Sequence, residues 1–278
     1  MHLRPMTRSD LYDVGEIGDR AFGEDAFWRM LTPYMDRYPN DRARYYRLRA
    51  RGRLVNKEGA IAFVVVTDEN DADWKGKEEL AGYSFWERKG TSKQAEKWQS
   101  EPWYAGMRDR PIDETRREIF LLTSFLGIER SLLAIELYYE RFVNRAVDWK
   151  KMDEMGVMLS SLRWDESADI PESWHAHVIA CSPKFRRRGV GTLLLNWGLE
   201  RAREEGIPVL LQATPAGKPL YEKAGFDKIA AGASQMMTQF VTTEMLWEPE
   251  DKKGQFLTEE LVARVRDRLQ DAPITLVD

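Results

Sequence analysis

The sequence contains little cysteine and little histidine. Its 278 residues include one cysteine, Cys181, and three histidines. A single cysteine excludes an internal disulfide, which favours a reducing compartment. These few residues also show no spacing typical of zinc ligands, so we expect no metal cofactor.

Long apolar runs and a strong net charge are absent as well. The longest apolar run, Ala60–Val66, is far shorter than the roughly 20 residues needed to span a bilayer. Residues 1–10 contain no apolar stretch typical of a signal peptide. The net charge of −4 is too small to favour nucleic acid or an anionic membrane as a partner. We therefore expect a cytoplasmic protein, and the sequence leaves its oligomeric state open.

The length and the composition fit one large globular domain that extends over residues 1–278. Apolar and β-branched runs predict strands at residues 2–6, 60–66, 80–88, 174–181, 209–213 and 241–247. Helical periodicity predicts helices that begin near residue 11 and at Val190, and over residues 43–54, 220–224 and 257–269. The last of these lies in a C-terminal tail, residues 250–278. The mixture predicts an α/β fold.

Residues 89–173 are expected to form a helical insertion. Helical periodicity extends over residues 113–158, and one side of this segment is apolar. The segment either forms an inserted lobe or is a long excursion between two strands of one sheet. The apolar side consists of Ile119, Leu122, Leu126, Leu133, Leu137 and Phe142.

A glycine- and arginine-rich turn lies between the predicted strand 174–181 and the helix that begins at Val190. Its sequence, RRRGVGT over residues 186–192, has the properties of a pyrophosphate site. Unpaired N–H groups at a helix N-terminus attract phosphate, and glycines permit a close approach of the backbone. Arginine adds fork-shaped donors.

Two common phosphate-binding motifs do not fit this turn. A P-loop requires a lysine after its second glycine, and none follows Gly191. A dinucleotide-binding fingerprint requires a third small residue, where this chain has Leu194. The pattern [RQ]-x-x-G-x-[GA] is matched in full by Arg186, Gly189 and Gly191.

A second motif follows about thirty residues later: residues 220–226 read LYEKAGF. Together, the strand, the R-x-x-G-x-G turn, the helix, the next strand and this ending resemble the GNAT acetyltransferase superfamily. The clear resemblance covers residues 174–226. It implies a mixed, mostly antiparallel central sheet that is splayed at the cofactor site and flanked by helices.

The resemblance also implies a binding site for acetyl-CoA as co-substrate. Backbone groups of three strand residues would pair with the pantetheine arm, and the turn would hold the pyrophosphate. Tyr221 lies where the family places a phenol that protonates the departing thiolate. The residues assigned to the cofactor are Ile179, Ala180, Cys181, Arg186, Arg187, Arg188, Gly189, Val190, Gly191 and Thr192.

Two histidines are candidates for the base that deprotonates the amine. Strand alternation places His175, His177, Ile179 and Cys181 on one face. Many relatives have a carboxylate or a water relay on this strand, and an imidazole titrates near pH 6.5. One departure from the family is that no asparagine precedes Tyr221 in residues 214–216.

Other readings of these residues stay open. Tyr221 and the two histidines could have packing roles, and Cys181 is predicted to be a small buried thiol rather than a nucleophile. The aromatic residues Phe22, Phe27, Trp28 and Tyr34 belong either to the core or to an acceptor pocket. A solvated surface is favoured over a binding site for the arginines at positions 42, 44, 47, 49, 51 and 53.

These features predict an acetyl-CoA-dependent N-acetyltransferase that transfers an acetyl group directly to a primary amine. A small-molecule acceptor is favoured. Two alternatives are a module that binds acyl-CoA without turnover and an enzyme that acts on protein lysines or N-termini. Transfer to a panel of amines would distinguish turnover from binding alone.

Overall fold

The core of the protein is a mixed sheet of eight strands in the part of the chain that the structure describes. The structure is a computed structural model, and it describes residues 1–23, 25–56, 60–100, 115–154, 170–234, 241–270 and 274–276. The strands are β1 (His2–Pro5), β2 (Ala60–Val66), β3 (Leu80–Lys89), β4 (Ser173–Cys181), β5 (Val209–Ala213), β6 (Asp227–Ser234), β7 (Val241–Trp247) and β8 (Ile274–Leu276). Their order is β1-β2-β3-β4-β5-β7-β6-β8.

Helices cover both faces of this sheet. They are α1 (Leu11–Phe22), α2 (Ala26–Leu31), α3 (Pro39–Asn56), α4 (Lys93–Ser100), α5 (Thr115–Val143), α6 (Val190–Glu205), α7 (Lys218–Lys223) and α8 (Glu259–Gln270). None of the helices in the described ranges is long and apolar enough to cross a bilayer.

The neighbouring strands β4 and β5 diverge along their length. They are the one parallel pair of the sheet, and they pair only from Trp174–Val209 to Ala176–Leu211. Strand β4 continues to pair with β3 as far as Cys181, and β5 continues to pair with β7 as far as Ala213. A gap therefore opens between the C-terminal half of β4 and β5, which confirms the predicted splayed α/β sheet.

The two faces of the sheet carry separate cores. Helix α1 and helix α3 pack on β2–β4 through a cluster that includes Val14, Leu54 and Phe85. Helix α6 packs on the opposite face, where Trp86 and Leu199 are almost fully buried. This packing holds α6 against the sheet. Helix α8 packs on the face opposite to α6, where a third cluster joins it to β5, β6 and β7.

A glycine explains how closely α6 approaches the sheet. A Cβ on Gly198 would lie 2.2 Å from the ring of Trp86. No side chain tolerates such an overlap with a buried ring, so this turn of the helix requires glycine. The N-terminus of α6 is thereby held close to the gap between β4 and β5.

The helical insertion between β3 and β4 differs from its prediction at its C-terminal end. Helix α5 ends at Val143, and the chain is helical again over residues 149–154, so the predicted helical stretch is interrupted at residues 144–148. At the interruption, the side-chain oxygen of Asn144 accepts hydrogen bonds from the N–H groups of Ala146 and Val147 at 3.0 and 3.2 Å. Such local bonds compete with a helix. Residues 113, 114 and 155–158 lie outside the described residues.

The predicted apolar side of this segment is wrong at two positions. Leu133 is buried against α3, but Leu137 and Phe142 are exposed. The face that α5 turns to α3 is partly polar, since Glu140 is buried and forms an ion pair with Arg44. The side chains of Ile119, Leu122 and Leu126 lie outside the described part of the chain.

Candidate active site

The turn that precedes α6 has an unusual backbone. Arg187, with φ of 64°, and Gly189, with φ of 84°, both adopt the left-handed conformation. The first helical hydrogen bond runs from the N–H of Leu193 to the carbonyl of Gly189 at 2.9 Å. The N–H groups of residues 190, 191 and 192 precede it and have no acceptor within the helix. A turn of this kind forms a concave anion site.

Gly191 connects this turn to the rest of the site. A Cβ at this position would lie 3.1 Å from Cδ2 of Leu220 and 3.5 Å from the sulfur of Cys181. The N-terminus of α6, the end of β4 and helix α7 therefore meet at one point. Gly189 has a different role, because its left-handed φ is one that side chains rarely adopt.

The three arginines of the turn have different surroundings. Arg188 forms a bidentate ion pair with Asp73 at 2.7 and 2.9 Å and lies over the ring of Phe185. The hydrogen bond from Arg188 lowers the pKa of Asp73 to about 2. The side chain of Arg188 is thus engaged in anchoring the turn to the β2–β3 loop. Arg186 and Arg187 are exposed.

Tyr221 lies on α7, close to this meeting point. Its side chain is buried, and its ring makes an edge contact with Phe226 at 5.7 Å. Burial raises the pKa of Tyr221, and the nearby Cys181 raises it further. The phenol therefore stays protonated at neutral pH and can donate a hydrogen bond.

Cys181 ends β4 beside the turn. Burial raises the pKa of its thiol to about 11, although the charge of Arg186 acts in the opposite direction. The residue is a free cysteine, and its thiol is protonated near neutral pH. The sulfur is therefore a neutral, partly buried neighbour of the site and not an activated nucleophile.

The raised pKa of Cys181 predicts slow alkylation. At pH 8 we expect iodoacetamide to modify the folded protein at least tenfold more slowly than a free thiol, because the thiolate is the reactive form. The rate should rise with pH towards about 11. The same protein unfolded in denaturant serves as the control, and equal rates in the two states would contradict the burial of this thiol.

The two histidines of β4 have different partners. Nε2 of His177 is hydrogen-bonded to a carboxylate oxygen of Glu87 on β3. Nε2 of His175 is hydrogen-bonded to the hydroxyl of Ser173 at 3.0 Å, and this histidine is buried. The ring centres of the histidines are 6.1 Å apart. His177 is thus the more accessible imidazole, and it has a carboxylate partner.

The predicted alternation along β4 is wrong beyond His177. Ala176 and Ile179 both pack into the core under α6, whereas Val178 and Ala180 pack on the face that carries α1. The β3–β4 register shifts between Phe85 and Trp86, which inserts an irregularity at this level. The histidines and Ile179 therefore do not share one face.

The arginines of α3 form a solvated surface only in part, because most of them are half-buried and held by other residues, whereas Arg49 is exposed. Side chains of four other elements contact these arginines, and several arginines are held by carboxylates. Arg42 pairs with Asp19, Arg44 with Glu140 at 2.9 Å, and Arg51 with Glu136 at 2.6 Å. Two further arginines, Arg49 and Arg53, lie against aromatic rings.

Aromatic side chains from α1, α2 and α3 form one cluster on this side of the sheet. The ring of Trp28 lies 5.3 Å from that of Tyr46 and 6.2 Å from that of Tyr45, and Phe22 contacts Tyr46 at 6.0 Å. Tyr34 is exposed and takes no part. The side chain of Phe27 lies outside the described residues.

The geometry fits a CoA-type ligand. At the gap beside residues 179–181, no strand of the described ranges pairs with this edge of β4, and the anion site at α6 lies at the end of that edge. Among the described residues, no group of three or more His, Cys, Asp or Glu side chains could hold a metal ion. The sequence did not indicate Glu87, and its only signal was its position in the predicted strand 80–88.

Comparison with known proteins agrees with this geometry. Residues 152–228 match the family described as Acetyltransferase (GNAT) domain. An acetyltransferase of Stachybotrys chartarum is 22% identical over 82% of this chain and 80% of its own length. A probable acyltransferase SID5 of Ajellomyces capsulatus is 44% identical over 48 residues, which cover 17% of this chain and 35% of that protein.

A solved structure supports the same fold. The crystal structure of histone acetyltransferase HPA2 and related acetyltransferase from Corynebacterium glutamicum superposes with a TM-score of 0.50 at 16% identity. The superposition covers 89% of this chain and 96% of that chain. The family match, the splayed sheet and the turn before α6 agree with one another: residues 152–228 match a GNAT acetyltransferase domain, and the described sheet has the fold of a solved acetyltransferase.

Proposed function

We propose that the protein is an acetyl-CoA-dependent N-acetyltransferase that transfers the acetyl group directly to the primary amine of a small molecule. The observation that carries the proposal is the convergence of three elements at Gly191. There the anion site of α6, the unpaired end of β4 and the buried phenol of Tyr221 lie side by side.

In this proposal, backbone groups form most of the contacts with the cofactor. The N–H groups of Val190, Gly191 and Thr192 bind the pyrophosphate at the N-terminus of α6. The exposed Arg186 and Arg187 add positive charge at the edge of this anion site. The backbone of residues 179–181 pairs with the pantetheine arm in place of the missing part of β5. When bound, acetyl-CoA supplies an activated thioester.

The base in this proposal is His177, and Glu87 positions it. The hydrogen bond between them fixes the orientation of the imidazole and stabilises its protonated form. An amine that is held at the open end of β4 can lose its proton to this pair. His175 is buried beside it and bonded to Ser173, so we assign it a supporting role.

The acid in this proposal is Tyr221. Its protonated phenol lies next to Cys181 at the end of the gap, where the sulfur of the cofactor would leave. A proton that is donated there stabilises the departing thiol. Acid and base then lie on different elements, α7 and β4.

Binding of acetyl-CoA is tested by thermal unfolding and calorimetry. At a hundredfold excess over Kd, a ligand that binds only the native state raises the free energy of unfolding by about 2.7 kcal/mol. We expect acetyl-CoA to shift the melting curve of the wild-type protein accordingly. An unchanged melting curve at millimolar acetyl-CoA would refute the proposed cofactor.

Gly191→Glu should lower the affinity for acetyl-CoA at least tenfold. A carboxylate at the N-terminus of α6 repels the pyrophosphate, and its side chain must displace Leu220. Gly254→Glu is a control for folding, because a Cβ there meets no atom within 4 Å, although its φ of 78° makes any side chain strained. Equal affinities of wild type and Gly191→Glu by calorimetry would mean that the turn does not bind phosphate.

A further inference from the structure

Two guanidinium groups of α3 lie against aromatic rings, one on the sheet and one on the neighbouring helix α2. Arg49 and Arg53 are four residues apart and share one side of the helix. Arg49 donates a hydrogen bond to the hydroxyl of Tyr45 at 2.8 Å and lies 5.1 Å from the ring centre of Trp28. Arg53 lies 5.6 Å from the ring centre of Phe85 on β3. Aromatic rings thus hold both cations in place.

The charges of these two groups are not balanced by carboxylates. In the ranges that the structure describes, neither Arg49 nor Arg53 forms an ion pair, unlike the paired arginines of the same helix. Burial and the charge of Arg49 lower the pKa of Arg53 to about 10. The charge of Glu87 acts on Arg53 in the opposite direction, and Glu87 is also hydrogen-bonded to His177. The site therefore keeps an excess of positive charge.

Neither residue is fully buried. Arg49 is exposed, and Arg53 is partly exposed. Repulsion between two like charges that packing holds together destabilises the folded protein. An anion that binds between them removes this repulsion. A guanidinium pair offers parallel N–H donors that match the two oxygens of a carboxylate.

The cation pair and the proposed base lie within the length of one small molecule. Phe85, which Arg53 covers, is two residues from Glu87 on β3, so their side chains on the same face are roughly 6.6 Å apart at about 3.3 Å per residue. Glu87 in turn contacts His177. A ligand can therefore place an anionic group at the arginines and an amine at the histidine.

We propose that the acceptor is an amino-acid-like compound, whose carboxylate binds between Arg49 and Arg53 while its amine faces His177. This assignment rests on the acetyl transfer proposed above and names the class of its acceptor. The rings of Trp28 and Tyr45 form the wall beside the carboxylate.

The test uses pairs of amines that differ only in a carboxylate. L-Lysine is compared with 1,5-diaminopentane, and L-phenylalanine with 2-phenylethylamine, in acetyl-transfer kinetics and in calorimetry with CoA-saturated protein. The variants are Arg49→Gln and Arg53→Gln. Arg47→Gln is the matched control, since Arg47 lies on the same helix but over the ring of Tyr12.

At least one carboxylated amine should have a KM or Kd at least tenfold lower than its partner in the wild type. Arg49→Gln and Arg53→Gln should remove this preference. In these variants the KM or Kd of the carboxylated amine should rise at least tenfold, whereas the KM or Kd of the amine without the carboxylate should rise less than twofold. Arg47→Gln should preserve the preference. Equal effects on both members of a pair, or a wild type without any preference, would overturn the assignment. A preference seen in calorimetry without acetyl transfer would support the carboxylate site and refute the proposed function.

Discussion

Replacing Tyr221 by phenylalanine is expected to lower kcat by about 10²-fold or more, because a positioned acid contributes at least that much. The affinity for acetyl-CoA should stay the same. The substitution keeps the aromatic ring and its edge contact with Phe226 and removes only the hydroxyl. Kinetics with saturating acetyl-CoA, combined with calorimetry of CoA binding, separate the two effects.

Tyr12→Phe is a suitable control for this experiment. Tyr12 is exposed on α1, so loss of its hydroxyl should change neither kcat nor binding. If Tyr221→Phe keeps full kcat, then water protonates the leaving group and Tyr221 is a packing residue. If kcat and CoA affinity fall together, the hydroxyl acts in binding rather than in proton transfer.

The sheet and the cofactor turn could be predicted from the sequence because their signals are local. Buried strands such as Ala60–Val66 are continuous apolar runs, and the structure has this strand at the predicted bounds. The arginine and glycine spacing of the turn reflects requirements of the backbone itself: a left-handed conformation at Gly189 and a close approach at Gly191. Signals of this kind do not depend on distant parts of the chain.

The acceptor side could not be predicted because its contacts join distant residues. Glu87 and His177 are 90 positions apart, and the register shift beside them leaves no local sequence signal. The pattern of α3 showed arginines around several sides of a helix, which is also the pattern of a solvated surface. Their partners lie on α1, α2, α5 and β3, and only the tertiary structure shows which arginines have a carboxylate and which do not.

A strand and a helix outside residues 174–226 could not be predicted for similar reasons. Strand β8 has three residues, and its pairing with β6 defines it rather than any apolar run of its own. Helix α4 is short and polar, and it packs by way of Trp98 against Trp174 at 5.3 Å. In both cases tertiary contacts stabilise an element whose own sequence is a weak predictor.

The second large effect is expected for the proposed base. His177→Ala should lower kcat/KM by about 10²-fold or more at neutral pH and leave acetyl-CoA affinity unchanged, because the imidazole accepts the proton of the amine and does not contact the cofactor turn. Glu87→Gln should have a smaller effect, since it keeps the shape of the pair and removes only the charge that stabilises the imidazolium.

The pH profile distinguishes a base from a structural histidine. A neighbouring carboxylate favours the protonated imidazole, so its loss in Glu87→Gln should move the acidic limb of kcat/KM to lower pH, and His177→Ala should abolish that limb. His2→Ala is the matched control. His2, on β1, also pairs with a carboxylate, since its Nδ1 lies 3.2 Å from an oxygen of Asp68, but this pair is exposed. The three variants must be compared on one acceptor, since the amine itself titrates at higher pH. An unchanged acidic limb in His177→Ala would place the base on another residue and leave the Glu87–His177 pair with a purely structural role.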